Sequence, residues 1–182
     1  FRTYKYYYVT AFLFILIGLI ALLLLDKGEL VLELNDEHTP ILDKFFSYAT
    51  LGGEAIGGGV ILILLLIFRS KRNIFILGAS ILLSLIFSQG LKHFVFQNEG
   101  RPSSVYENLK PVEGLERHRN NSFPSGHTTA AFTFFTVMAV GIKKKWAQLA
   151  APILAATVGV SRVYLGQHYL NDIVAGAVLG LL

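Results

Sequence analysis

The sequence predicts an all-α integral membrane fold, a six-helix bundle built as a single domain over residues 1–182. Of its residues, 53% are hydrophobic and 15% are charged, whereas about 25% are charged in an ordinary soluble domain. The mean hydropathy is +0.55, and the apolar residues form six long stretches. Because each crossing takes about 20 residues, six crossings leave no room for a second domain.

The six stretches are predicted to be spanning helices, taken in chain order. They cover residues 6–25, 48–68, 74–91, 127–142, 146–161 and 169–182. The second stretch is interrupted by Glu54, for which a structural and a functional role both remain open. Its five glycines, at positions 52, 53, 57, 58 and 59, predict close approach to neighbouring helices.

Two connections between the stretches are long enough to carry structure of their own. Residues 26–44 alternate charged and apolar side chains, which fits either an amphipathic helix on the bilayer or an ordinary loop. Residues 97–123 are too many for a tight turn, and loops of that length in compact proteins tend to be functional. Within this segment, residues 117–119 fit either headgroup contacts or a solvated loop.

The distribution of basic residues predicts the orientation. Compact basic clusters lie at alternate ends of the stretches: Arg2 with Lys5, residues 69–72, and residues 143–145. Because such clusters mark the cytoplasmic side, the N-terminus is expected in the cytoplasm of a multi-pass inner-membrane protein. The acidic connection 26–44 and the segments 97–123 and 162–171 then share the outer face, towards the periplasm or the exterior.

Composition excludes several function classes. The chain contains no cysteine, which excludes disulfides, thiolate metal sites and cysteine nucleophiles. The net charge of +4 comes from short clusters between apolar runs, so a nucleic-acid partner is not expected.

Three polar clusters lie at the predicted outer ends of the helices, where polar side chains are costly unless they are paired, solvated or used. The first is Lys92 followed after eight residues by Arg101-Pro102. The second runs from Ser122 to His127, and the third is Ser161-Arg162, five residues, His168, three residues and Asp172. The predicted topology brings all three to one face.

Together these residues fit a phosphate site. Lys92, Arg101 and Arg162 supply positive charge, and the two guanidinium groups suit phosphate oxygens. Ser125 and Gly126 at a helix start offer backbone N–H groups to an anion. His168 and Asp172 stand four apart, so the carboxylate can hold one imidazole nitrogen and leave the other nucleophilic. His127 is then free to move a proton.

Taken one by one, the same residues also fit structural roles or a metal site. Lys92 and Arg162 could each be a side chain at a helix end whose charged group extends into water. His127 could be a helix cap. His168 and Asp172 fit a structural pair. Two histidines and one aspartate match a metal site, but three neighbouring cations would repel a divalent ion. No metal and no cofactor is therefore expected.

The three clusters resemble the signature of the type 2 phosphatidic acid phosphatases, the superfamily that also includes vanadium haloperoxidases. That signature is Lys, six residues, Arg-Pro; then Pro-Ser-Gly-His; then Ser-Arg, five residues, His, three residues, Asp. Residues 124–127 and 161–172 match at every position, while the spacing from Lys92 to Arg101 is two residues longer. The resemblance covers residues 92–172.

The resemblance implies a metal-independent membrane phosphatase acting on a lipid phosphomonoester or pyrophosphate, such as phosphatidic acid, phosphatidylglycerol phosphate or undecaprenyl pyrophosphate. It implies that His168 is the nucleophile of a phosphohistidine intermediate, that Asp172 orients it, and that His127 protonates the leaving oxygen. The implied phosphate ligands are Lys92, Arg101, Ser125, Gly126 and Arg162. Two alternatives remain open: a phosphotransferase with another acceptor, and a non-enzymatic anion transporter or scaffold. The residues themselves indicate phosphate and bilayer, but no particular lipid and no oligomeric state.

Overall fold

The structure, a computed structural model, describes residues 4–116 and 118–182, so Arg2 and Arg117 lie outside the described residues. Within those residues the regular elements are helical, and the predicted all-α class is confirmed. The α-helices are α1 Lys5–Leu24, α2 Glu29–Asp36, α3 Pro40–Ala49, α4 Ala55–Ile67, α5 Lys71–Gly90, α6 Pro102–Val105, α7 Gly126–Ile142, α8 Lys145–Tyr164 and α9 Leu170–Leu181.

Helix length and composition support a membrane protein. Helix α1 and the continuous helical segment Lys71–Val95 are each long and apolar enough to cross a membrane. The bent pair Pro40–Gly53 and Ala55–Ile67 makes a third crossing if it is counted as one span. Helices α7 and α9 are apolar but shorter. The number of six crossings therefore stays a prediction.

The second predicted stretch is wrong as a single continuous helix. Helix α3 passes into a 3₁₀ turn over Thr50–Gly53, Glu54 adopts an extended backbone, and α4 then begins. The two helical pieces meet at a bend of 63°. Adjacent glycines favour this break because glycine is among the poorest helix formers. Hydropathy is high on both sides of the bend, which is why the apolar pattern alone predicted one span.

The connection 26–44 is largely helical, since α2 lies within it and α3 begins within it. Thr39 caps α3 by accepting a hydrogen bond from the N–H of Leu42 at 3.3 Å. Helix α2 packs on the protein itself, because Val31 is buried against Val163, Tyr169 and Ile173. This connection thus covers the end of the bundle at which α8 stops and α9 begins.

Helix α7 lies at the centre of the bundle and contacts α4, α5, α8 and α9. Close contact with α9 depends on small residues. A Cβ atom on Gly180 would lie 2.5 Å from the carbonyl oxygen of Thr129 and 2.6 Å from the Cβ of Phe132. A Cβ atom on Gly176 would lie 2.7 Å from the carbonyl oxygen of Ser125. These approaches hold the second half of α9 against the first turns of α7.

We expect Gly180→Val to destabilise the protein by about 1–3 kcal/mol, because the added side chain must separate α9 from the backbone of α7. The measurement is the thermal unfolding midpoint of the protein purified in detergent. Gly78→Ala is the matched control, since a Cβ on Gly78 meets nothing within 4 Å. An equal midpoint for Gly180→Val and wild type would contradict the proposed close packing.

Candidate active site

The third polar cluster forms a turn that joins α8 to α9. Gly166 takes a positive φ of +65°, and the N–H groups of Gln167 and His168 then donate to the carbonyl oxygen of Arg162 at 2.9 and 3.1 Å. Positive φ is easily accessible to glycine, so the turn can fold back sharply. The turn thereby brings the backbone of His168 next to that of Arg162 at the end of α8.

His168 and Asp172 form a buried pair. The Nδ1 of His168 lies 3.2 Å from Oδ2 of Asp172. The same carboxylate oxygen accepts a hydrogen bond from the N–H of Tyr169 at 3.0 Å and another from the hydroxyl of Ser122. Asp172 is therefore fixed by three partners, and the Nε2 of His168 is the ring nitrogen left for other chemistry.

Three cations of the predicted site are buried. Lys92 is 7% exposed, Arg101 9% and Arg162 4%. Arg101 donates from Nε to the carbonyl oxygen of Asn120 at 2.9 Å and from Nη1 to Oε1 of Gln167 at 3.1 Å. Among the described residues none of the three cations forms a salt bridge with a carboxylate. Buried positive charge that is not paired directly with a carboxylate favours an anionic ligand.

Arg162 is held from the bend between α3 and α4. Its Nη1 donates to the hydroxyl of Thr50 at 2.8 Å, and its Nε has no hydrogen-bond partner in the described part of the chain. The hydroxyl of Ser88, on α5, is likewise buried and unpartnered there. Both groups can donate a hydrogen bond to an anion without giving up a protein contact.

The second polar cluster starts α7. Ser125 caps the helix, because its hydroxyl accepts hydrogen bonds from the N–H and the hydroxyl of Thr128 at 3.4 and 2.9 Å. Its own N–H donates to the carbonyl oxygen of Asp172 at 3.0 Å. Ser125 thus joins the starts of α7 and α9, and its role as a phosphate ligand stays a prediction. A Cβ on Gly126 would lie 3.7 Å from Ser88 Oγ and 4.0 Å from Lys92 Nζ, so Gly126 lies beside two groups that can donate to an anion.

A cavity of about 960 Å³ brings the clusters together. Its polar wall includes Lys92, Arg101, Gly126, His127 and His168. The cavity continues between α4, α5 and α7 along an apolar wall lined by Leu62, Ile74, Leu77, Ile81, Leu85 and Phe134. Arg162, Ser125 and Asp172 are buried and are not among the residues that line it. A charged end joined to an apolar groove fits a molecule with an anionic head and an apolar chain.

Several site contacts were not predicted from the sequence. They involve Thr50, Ser88, Ser122, Gln167 and Glu54. Ser122 lies in the second polar cluster and Gln167 in the third, so the sequence does point to these two positions. Nothing in the sequence around Thr50 or Ser88 marks either residue as part of the site. Of the segment 117–119, His118 lines the cavity, as a headgroup contact requires.

Comparison with known proteins identifies the family. The family model described as the PAP2 superfamily matches residues 73–182. The chain belongs to the PAP2 superfamily. This match confirms the resemblance predicted from the three motifs. It also supports the prediction that the protein is a membrane-associated phosphatase.

Similar proteins agree with this family. The undecaprenyl-diphosphatase of Sulfolobus acidocaldarius is 31% identical over 187 residues, covering 97% of this chain and 87% of that protein. The lipid A 4'-phosphatase of Bacteroides thetaiotaomicron is 29% identical over 161 residues, or 84% of this chain and 71% of that protein. For two other relatives the chain covers a smaller share of the relative's own length, 41% in one case and 34% in the other.

A solved structure has the same fold. Aquifex aeolicus LpxE superposes with a TM-score of 0.73 at 32% sequence identity, covering 85% of this chain and 90% of that one. The agreement extends the family assignment from the motifs to the helical framework that carries them.

Burial, followed by the positive charges of Arg101, Arg162 and Lys92, holds the pKa of His168 well below its usual value of 6.5. We therefore expect the imidazole of His168 to stay neutral at pH 6.5 and to take up a proton only at a lower pH. The measurement is a pH titration of ¹⁵N-histidine-labelled protein by NMR, with His168→Asn to assign the signal. A midpoint at or above 6.5 would contradict this.

Proposed function

We propose that this protein is an integral membrane lipid phosphatase that hydrolyses a phosphomonoester or pyrophosphate through a phosphohistidine on His168. One observation carries the proposal: His168 of the buried histidine–aspartate pair, a second histidine, His127, and the buried cations Lys92 and Arg101 line one cavity that continues along an apolar wall. Each part has a use in phosphoryl transfer, which requires a nucleophile, charge stabilisation and a proton for the leaving oxygen.

In the first step Nε2 of His168 attacks phosphorus, the N–P bond forms, and the bond between phosphorus and the leaving oxygen breaks. Asp172 keeps the imidazole oriented and stabilises the positive charge that develops on it. His127 transfers its proton to the leaving alkoxide. The proposed phosphate ligands are Lys92, Arg101, Ser125, Gly126 and Arg162, which oppose the charge on the phosphate oxygens.

In the second step the neutral His127 removes a proton from water, and the oxygen of that water attacks the phosphohistidine. The N–P bond then breaks, and inorganic phosphate leaves. Every charge that these two steps need comes from side chains, so the proposed reaction is metal-independent. Within the described residues no group of three or more His, Asp or Glu side chains is arranged to hold a metal ion.

The apolar wall supports a lipid substrate. With the anionic head at the cations, the chain of a phospholipid or polyprenyl phosphate lies between α4, α5 and α7. The named relatives act, by their names, on lipid A and on an undecaprenyl diphosphate, and both names fit this arrangement. We propose further that residues 1–182 form one domain crossing the inner membrane six times, with the N-terminus cytoplasmic and the cavity facing the periplasm or exterior.

Replacing either histidine separates the two steps. We expect His168→Ala to abolish a phosphoenzyme trapped by acid quench from ³²P-labelled substrate, because the nucleophilic nitrogen is gone. We expect His127→Ala to keep phosphoenzyme formation from a substrate with a good leaving group, which needs no proton. Equal loss of trapping in both variants would rule out this division of roles.

Vanadate imitates five-coordinate phosphorus, so we expect it to inhibit phosphate release from a lipid phosphate, while EDTA leaves the rate unchanged. The control for release into water is an added alcohol, which would divert the phosphoryl group if the protein were a phosphotransferase. Loss of activity in EDTA that one added divalent metal restores would overturn the metal-independent mechanism.

A further inference from the structure

Glu54 lies at the bend between α3 and α4, and it contacts the second histidine of the site. Its backbone is extended, with φ −112° and ψ −176°, and its Oε1 lies 3.2 Å from Nε2 of His127. The preceding residue makes this approach close, because a Cβ on Gly53 would lie 2.5 Å from the carbonyl oxygen of His127. The bend therefore brings a carboxylate and a backbone segment against the start of α7.

The contact matters because the other charges that act on His127 are positive or become positive on protonation. These groups are Lys92, Arg101, Arg162 and His168, with His118 lining the same cavity. Asp172, the second carboxylate nearby, is engaged by His168, Ser122 and Tyr169. In the described part of the chain, Glu54 is the carboxylate that forms a salt bridge with His127.

A surface position alone does not account for this pair. The side chains of Glu54 and His127 are 40% and 32% exposed, and both residues line the cavity. A carboxylate in a cavity lined by cations weakens anion binding, because it repels a phosphate and neutralises part of the attractive field. Its presence there indicates a benefit that offsets the repulsion.

We propose that Glu54 is a positioning residue that orients His127 and stabilises its imidazolium form for protonation of the leaving oxygen. The Nε2–H of His127 donates to Glu54, and the proton on Nδ1 goes to the leaving alkoxide. In the second step the vacated Nδ1 takes the proton from water, and Glu54 keeps its charge throughout. This inference rests on the proposed phosphatase and adds a role that the three motifs do not contain.

The test uses two substrates that differ in their need for a proton. Dodecyl phosphate has a poor leaving group, and an alkyl-substituted nitrophenyl phosphate of matched chain length has a good one. We expect Glu54→Gln to lower kcat on dodecyl phosphate by about 10- to 100-fold, a part of what a general acid contributes. Phosphoenzyme formation from the nitrophenyl substrate should change by less than about threefold, because that step needs no acid.

Thr50→Val is the matched control from the same bend. It removes the hydrogen bond to Arg162, a proposed phosphate ligand. We therefore expect it to lower kcat on dodecyl phosphate and the rate of phosphoenzyme formation from the nitrophenyl substrate by similar factors. Glu54→Asp should recover part of the rate on dodecyl phosphate, because it restores the charge. The alkaline limb of the kcat profile should also move to lower pH in Glu54→Gln, since the imidazolium loses its counter-charge.

A double-mutant cycle separates positioning from a structural role. If Glu54 acts through His127, then Glu54→Gln should have no further effect in a His127→Asn background. Additive losses, equal losses on both substrates, or a wild-type rate for Glu54→Gln on dodecyl phosphate would each overturn the inference. The proposed function fails by a different result, namely that the wild-type protein releases no phosphate from either substrate.

Discussion

The site depends on one electrostatic constraint: Lys92, Arg101 and Arg162 are buried, repel one another, and form no salt bridge with a carboxylate in the described part of the chain. The hydrogen bonds of the two arginines go to the carbonyl oxygen of Asn120, the amide of Gln167 and the hydroxyl of Thr50. Carboxylate partners would stabilise these cations better but would cancel the field that attracts an anion. The cations therefore repel one another in the free protein, and a bound phosphate would offset this repulsion.

The same constraint accounts for how the two carboxylates are used. Asp172 is buried and does not line the cavity, and three hydrogen bonds hold it, including the one with Nδ1 of His168. Glu54 reaches the cavity itself and contacts Nε2 of His127. Under the proposed mechanism the first carboxylate serves a nucleophile that must start neutral, and the second serves an acid that must start protonated.

Long apolar stretches and fixed motif spacings made much of this structure predictable from the sequence. Helices α1, α5, α7, α8 and α9 lie within a few residues of the predicted stretches, because uninterrupted apolar runs leave little choice of secondary structure. The His168–Asp172 contact followed from a spacing of four residues. Contacts between distant segments were not predictable. Thr50 and Arg162 form a hydrogen bond although they are 112 residues apart in the sequence, and Ser122 and Asp172 form one although they are 50 apart. No local sequence pattern predicts either pairing.

The bend at Glu54 is where local signals and the three-dimensional arrangement diverged most. In one continuous helix over residues 48–68, Thr50 and Glu54 would stand four apart and present their side chains on one face. The 3₁₀ turn and the extended Glu54 instead let Thr50 reach α8 while Glu54 reaches α7. A straight helix could not serve both contacts at once, and a side chain at position 53 would block the approach to α7. The glycines at 52 and 53, predicted only to permit helix packing, thus allow one segment to support two parts of the site.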